Sequence, residues 1–199
     1  MFEIAEIIGV IAFSISGFLI ATRNKLDLLG ILISVFLTAL GGGIIRDVIV
    51  DKVPYTFSHN LPALIILSTM ILMILFKVHK KDSIENKPLF ILSDSIGLVS
   101  FSITGAIIAI EHNFNLTGVL SLSFITAVGG GIARDVIINQ VPFVFKTGFY
   151  GTISLLIALC LYTLNIFELI SYISLIFIFI FGVTLRVVAF YKKWSIPLI

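Results

Sequence analysis

The chain has 199 residues, of which 59% are hydrophobic and 12% are charged, and its mean hydropathy is +1.18. A soluble domain carries about 25% charged residues, so this composition excludes a soluble globular protein and predicts one whose solvent is a lipid bilayer. The net charge of +2 says little as a total, and no nucleic-acid partner is expected. The single cysteine, Cys160, excludes a disulfide framework.

Apolar runs of about 20 residues recur along the chain, which is the length that a helix needs to cross a bilayer. The runs are too long and too continuously apolar for barrel strands, so we predict helices and a single membrane domain over 1–199. The first run lacks a basic start and belongs to a repeated segment, so it is expected to be retained. In chain order the seven predicted spans are 4–22, 28–50, 61–77, 90–110, 117–138, 149–164 and 170–190.

Residues 30–57 and 118–145 have nearly the same sequence, at an offset of 88 residues and without a gap. Sixteen of these 28 aligned positions are identical, and the same offset aligns 13–17 with 101–105. The chain is therefore a duplicated unit. We expect internal repeats over 2–77 and 90–165, with a seventh helix over 170–190 outside them.

The distribution of lysine and arginine predicts the orientation of the chain. Only Lys52 falls on one side of the predicted spans, whereas nine basic residues fall on the other, which indicates an outside N-terminus and a cytoplasmic C-terminus. Each repeat has three spans, an odd number, so the second copy enters the membrane from the opposite side and the repeats are inverted. The nine residues are Arg23, Lys25, Lys77, Lys80, Lys81, Lys87, Lys146, Lys192 and Lys193.

Three consecutive glycines occur late in the second span and again late in the fifth, as Gly41–Gly43 and Gly129–Gly131. Each glycine in a helix costs about 0.5–1 kcal/mol relative to alanine, so such a run favours a kink or the close approach of another backbone. Tight helix packing is the simpler interpretation. Because both triplets precede a charge pair in inverted copies, we favour a helix break that forms part of a permeation path.

The charge pairs are Arg46–Asp47 and Arg134–Asp135. Burying such groups in a membrane costs at least ~2.5 kcal/mol each, so they are functional candidates, with a structural ion pair as the alternative. Adjacent side chains project about 100° apart on a helix, so each arginine need not pair with its neighbour. Arg46 lies about 27 Å along a straight helix from Leu28, near the outer face. We therefore predict one charged cluster towards each mouth of a path.

Recurring hydroxyl residues predict a narrow, hydroxyl-lined middle, although such side chains often bond their own helix backbone. Glu6 and Asp94 also align, near the starts of spans 1 and 4, and are interpreted as capping or mouth residues. Arg186 has no repeat partner and is expected to extend to the cytoplasmic interface. The recurring hydroxyl residues are Ser14, Ser16, Thr38, Ser102, Thr104 and Thr126.

The doubled Gly-Gly-Gly-x-x-Arg-Asp motif, in spans 2 and 5 of a seven-span chain, resembles prokaryotic members of the trimeric intracellular cation (TRIC) channel family. The resemblance implies an all-α polytopic membrane protein with two inverted three-helix repeats plus a seventh helix, and kinks at both glycine triplets. It also implies a homotrimer in the prokaryotic cell (inner) membrane, with a potassium-permeable pore in each protomer. The motif residues carried over are Gly41, Gly42, Gly43, Arg46, Asp47, Gly129, Gly130, Gly131, Arg134 and Asp135.

Two functions are compatible with these residues. The first is a monovalent cation channel, with potassium as the permeant ion and sodium as a second candidate. The second is a secondary transporter for glycine or another small zwitterion, since arginine beside aspartate can hold a carboxylate and an ammonium group. A transporter predicts one midplane site, whereas charges near two opposite faces favour a channel.

An enzyme is disfavoured, because the chain has no HExxH motif and Ser14–Gly17 lacks the leading glycine of a GxSG motif. The three histidines, His59, His79 and His112, lack metal-ligand spacing. We therefore expect no catalytic residues, no cofactor and no metal site.

Overall fold

The computed structural model describes residues 2–78, 88–146 and 149–194. Within these ranges the regular secondary structure is α-helical, with seven helices of 15–24 residues and two of four residues. Most of the segment between the predicted third and fourth spans, including His79, lies outside the described residues. The helices are α1 (Phe2–Arg23), α2 (Leu28–Ile49), α3 (Tyr55–Ser58), α4 (Leu61–Leu75), α5 (Pro88–Glu111), α6 (Leu116–Ile137), α7 (Phe143–Lys146), α8 (Gly151–Ile166) and α9 (Tyr172–Tyr191).

Five of these helices are long and apolar enough to cross a membrane, namely α1, α2, α5, α6 and α9. The helices α4 and α8 are also apolar but have only 15 and 16 residues. A helix rises about 1.5 Å per residue, so the five longer helices match the ~30 Å hydrocarbon core of a bilayer. The chain is therefore an all-helical polytopic membrane protein.

The sequence duplication produces the same local structure twice. The bounds of α6 and α7 are those of α2 and α3 shifted by 88 residues. The N-cap is repeated as well: the side chain of Asp27 accepts a hydrogen bond from the Gly30 amide, and the side chain of Asn115 accepts one from the Gly118 amide. In both copies the cap satisfies one of the free amide groups at the start of the helix.

Four helices form a closed ring at the centre of the molecule, because α1 and α6 each pack against both α2 and α5. The most buried members are α5 and α1, whose apolar windows are 83% and 67% buried. The helix α4 packs on α1, and α8 packs on α5 and α6. The helix α9 packs mainly on α5 and leaves large apolar side chains exposed, as expected for a surface that faces lipid.

Two contacts show which loops share an end of the bundle. The amide of Gln140, after α6, donates a hydrogen bond to Asn24, after α1. The rings of Phe149 and Trp194 meet edge to face with centroids 5.5 Å apart, so the end of α9 lies beside the start of α8. Each contact joins segments that the basic-residue count assigns to the cytoplasmic side.

Two buried charge clusters as the candidate functional site

The first charge cluster joins α1, α2 and α5, and we call Glu6, Arg46, Asp47 and Thr104 the first-repeat cluster. Arg46 Nη1 lies 2.7 Å from Glu6 Oε2, and Nη2 lies 3.2 Å from Glu6 Oε1. Arg46 Nε donates to Asp47 Oδ1 at 2.8 Å, and Nη1 also donates to Thr104 Oγ1 at 3.3 Å. Arg46 is only 1% exposed, so this cation is desolvated and held by two carboxylates.

The aligned residues of the other copy form the second-repeat cluster, which consists of Asp94, Arg134, Asp135 and Ser16. Arg134 Nε donates to Asp135 Oδ1 at 2.8 Å, which reproduces the Arg46–Asp47 pair. Ser16 Oγ donates to Asp94 Oδ1 at 3.3 Å. Ser16 aligns with Thr104, so each cluster receives a hydroxyl group from the other repeat.

Each arginine pairs with the aspartate that follows it, although the sequence argument did not require this pairing. The second carboxylate oxygen explains the geometry. Asp47 Oδ2 accepts the Tyr55 amide at 3.0 Å, and Asp135 Oδ2 accepts the Phe143 amide at 2.8 Å. Each aspartate therefore connects its arginine to the first residue of the short helix that follows.

The two clusters lie at different depths in the bundle. On α1, Glu6 belongs to the first-repeat cluster and Ser16 to the second, ten residues further on. Asp94 and Thr104 are separated by ten residues on α5 in the same way. Ten residues correspond to about 15 Å of helix, about half of the ~30 Å hydrocarbon core. The two clusters are thus separate. They lie closer together than the position of Arg46 along α2 predicted, since that position placed one cluster near each face of the membrane.

The glycine triplets form the contact between α2 and α6. A Cβ on Gly41 would lie 3.0 Å from Gly130 Cα, and one on Gly130 would lie 2.5 Å from the Thr38 carbonyl oxygen. A Cβ on Gly42 would collide with the Thr126 carbonyl oxygen. The α-helix is continuous through both triplets, so a break in the helix is not observed there, and a kink of the helix axis stays a prediction.

The remaining glycines of the triplets have other neighbours. A Cβ on Gly43 would lie 3.2 Å from Glu6 Oε1, and one on Gly131 would lie 3.8 Å from Arg134 Nη2. A Cβ on Gly129 would lie 3.1 Å from Ile45 Cδ1. Backbone contact between the helices is therefore possible at Gly41, Gly42 and Gly130. The third glycine of each triplet instead leaves room for the side chains of the nearby charge cluster.

The recurring hydroxyl residues are fully buried, and most of them bond their own helix. Thr38 and Thr126 each donate to the carbonyl four residues earlier, at 2.6 Å. Ser14 and Ser102 do the same at 2.6 and 2.7 Å. Such bonds satisfy the hydroxyl hydrogen and leave the oxygen able to accept. Of the six, Ser16 and Thr104 contact the charge clusters.

Arg186 does not lie where the sequence predicted. It was expected to extend to the interface, but it is buried, with 2% of its surface exposed. Its guanidinium carbon lies 4.7 Å from the centroid of the Tyr150 ring, and 5.8 and 6.0 Å from those of Phe190 and Phe143. Tyr150 donates a hydrogen bond to Asp94, and the charges of Arg186 and Arg134 act on the same carboxylate. The unrepeated helix α9 thus adds a cation beside the second-repeat cluster.

The signal for Arg186 was present in the sequence, because an arginine inside an apolar run needs a partner. What the sequence did not show was the partner. The aromatic rings come from α7, from the residue before α8, and from α9 itself, and their convergence depends on tertiary packing. Glu6 and Asp94 were identified by the repeat, but their pairing was not.

Comparison with known sequences identifies the family. A family model described as "Glycine transporter" matches this chain twice, over residues 3–78 and 91–165. The UPF0126 membrane protein YvgT of Bacillus subtilis (strain 168) is 34% identical over 149 residues, which are 75% of this chain and 73% of that protein. The UPF0126 inner membrane protein YadS of Escherichia coli (strain K12) is 31% identical over 147 residues, or 74% and 70% of the two chains.

Solved structures share the whole fold. A chain described under "Structural basis for conductance through TRIC cation channels" is 32% identical, with a TM-score of 0.86 over 100% of this chain and 97% of that one. A prokaryotic TRIC channel crystallised in 0.5 M KCl is 28% identical, with a TM-score of 0.88 over 98% of both chains. The resemblance inferred from the doubled motif is confirmed: the chain belongs to the UPF0126 family, the bacterial TRIC family, whose model carries the description "Glycine transporter".

Proposed function

We propose that the protein is a potassium-permeable monovalent cation channel with one pore in each protomer of a homotrimer. The observation that carries the proposal is the pair of buried charge clusters, about 15 Å apart, each completed by a hydroxyl from the other repeat. The similarity to solved TRIC cation channels supports the same function.

The composition of the first-repeat cluster suits a cation path. Glu6 and Asp47 hold the single cation of Arg46 between them, so the cluster carries one excess negative charge when all three groups are ionised. The side chain of Glu6 is 12% exposed, in contrast to the 1% of Arg46. A partly exposed carboxylate favours entry of cations, and the arginine is shielded by the two acids that hold it.

We also propose the finer architecture that the sequence predicts. It consists of seven spans, with inverted repeats over 2–77 and 90–165, an outside N-terminus and a cytoplasmic C-terminus. The shared bounds of α2 and α6 and of α3 and α7 support the duplication. The description of a related solved protein from Rhodobacter sphaeroides as a trimeric channel supports the homotrimer.

A coupled transporter for glycine is the second candidate, and the description of the matching family model favours it. Single-channel recording of the purified protein in planar bilayers, under gradients of potassium, sodium and glycine, separates the two. We expect unitary currents that reverse near the potassium equilibrium potential and that need no glycine. Saturable, ion-coupled glycine uptake into vesicles without unitary currents would establish the transporter instead.

The orientation has its own test, which uses two loop positions that the repeat makes equivalent. Lys25 and Asn113 both follow a long helix, are exposed, and have left-handed backbone with φ of 54° and 56°. In a background without the native cysteine, single cysteines at these positions should react with an impermeant thiol reagent from opposite sides. Labelling of both from one side would remove the inverted topology.

A further inference from the structure

Three buried donor atoms beside the second-repeat cluster have no partner among the described residues. They are Nη1 of Arg134 and both Nε and Nη1 of Arg186. By contrast, all three nitrogens of Arg46 donate to carboxylate or hydroxyl oxygens. Buried donors are nearly always hydrogen-bonded, and those of a cation carry the largest penalty when they are not. The two arginines therefore call for an acceptor that the surrounding side chains do not supply.

Arg134 lines one small cavity. It has a volume of about 10 Å³ and is lined by Arg134, Asp135 and Tyr150 together with Gly131, Phe143 and apolar side chains. Arg186 lies over two of these lining rings, those of Tyr150 and Phe143. Cation–π contact uses the face of a guanidinium group and leaves its N–H groups, which lie in the plane, available. The volume of the cavity is that of about one water molecule, so at most one small occupant fits inside it.

The difference between the repeats accounts for the unsatisfied donor of Arg134, whereas Arg186 lies on α9, outside the repeats. Glu6 reaches Arg46 with both carboxylate oxygens, whereas the aligned residue, Asp94, is one methylene shorter and bonds Ser16. The first-repeat cluster contains two acids and one arginine. The second-repeat cluster with Arg186 contains two acids and two arginines. One bound monovalent anion would give the second site the same net charge of −1 as the first.

We propose that Arg134 and Arg186 hold one small monovalent anion at the edge of this cavity, beside Tyr150. The anion is a structural counterion that replaces the carboxylate of Glu6 in the second repeat. In its role for ion flow, which rests on the proposed channel function, it adds one negative charge at this end of the path, where two aspartates already balance the two arginines.

Bromide is the probe, because its anomalous scattering distinguishes it from water. Crystals of the full chain grown in sodium bromide should show an anomalous peak at hydrogen-bond distance from Arg134 and Arg186, and none at Arg46, which is the internal control. The melting temperature in detergent should rise saturably with chloride or bromide, and less with methanesulfonate at equal ionic strength. An ordered water in place of the peak, or equal effects of all three salts, would overturn the proposal.

Two variants of the full chain sharpen the result. Arg186→Gln should remove both the bromide peak and the saturable halide effect, whereas Lys52→Gln, an exposed change at the other end, should keep both. If Arg186→Gln fails to fold, the halide titration and the bromide crystals of the native protein still decide the question. A bromide peak in a protein without unitary currents would contradict the channel alone, and currents without halide binding would contradict the anion alone.

Discussion

The first-repeat and second-repeat clusters use aligned residues but reach different electrostatic solutions. In the first, Arg46 is bound by Glu6, Asp47 and Thr104. In the second, Arg134 pairs with Asp135, while Asp94 bonds Ser16 instead. The loss of one methylene between Glu6 and Asp94 separates an acid from its arginine. Duplication therefore preserved the positions of the charges without preserving their partners.

The largest expected effect comes from removing an arginine from the more tightly paired cluster. Arg46→Ala leaves Glu6 and Asp47 buried without a cation, and breaking such a pair costs about 3–5 kcal/mol. Arg134→Ala should cost less, because Arg134 makes one ion pair within the described chain. Thermal unfolding in detergent measures both, with the exposed Lys52→Ala as control. Equal losses for the two arginines would show that the difference between the clusters has no energetic consequence.

The glycine triplets allow a matched comparison between a glycine packed against the neighbouring backbone and a glycine with room for a methyl group. Gly42→Ala places a methyl group against the Thr126 carbonyl oxygen and should destabilise the protein by about 1–3 kcal/mol through overpacking. Gly131→Ala meets Arg134 at an ordinary 3.8 Å and should be neutral or stabilising, because alanine favours a helix by about 0.5–1 kcal/mol. Unfolding and size-exclusion measurements test both. If Gly42→Ala is harmless, α2 and α6 do not meet at the triplets.

The sequence predicted the features that depend on pattern alone. Apolar runs predicted the helices, and the offset of 88 predicted the repeat and the two Arg-Asp motifs. It did not predict that Glu6 pairs with Arg46, because that contact depends on how α1 packs against α2. The partners of Arg186 could not be predicted for a similar reason, since the rings around it belong to different segments.

Exchanging the two acids tests the comparison directly. Asp94→Glu extends the carboxylate towards Arg134 and should stabilise the protein by about 1 kcal/mol, because a charged donor gains a partner. The same variant should lose its response to halide. Glu6→Asp should withdraw the carboxylate from Arg46 and lower the stability of the protein. These shifts are measured by thermal unfolding in chloride and in methanesulfonate. An Asp94→Glu protein that still responds to halide would show that anion binding does not depend on the shorter side chain of Asp94.

Effects of no more than about 1 kcal/mol are expected from the two hydroxyl groups that the repeats exchange. Thr104 contacts an arginine that already has two carboxylates, and its own hydrogen is donated to the Phe101 carbonyl. Thr104→Val should therefore cost no more than about 0.5 kcal/mol, the lower end for a hydrogen bond. Ser16 donates directly to Asp94, a buried acid that pairs less completely than Glu6.

Ser16→Ala should consequently cost about 1 kcal/mol, below the ~1.5–3 kcal/mol of an ideal bond to a charged group because the bond is 3.3 Å long. A double-mutant cycle with Asp94→Asn isolates the pair. Coupling between Ser16 and Asp94 that exceeds the coupling between Thr104 and Arg46 would show that the second cluster depends on its borrowed hydroxyl. The opposite order would mean that Asp94 is held mainly by Tyr150 and the charge of Arg186, so that the unrepeated helix, rather than the first repeat, completes the second site.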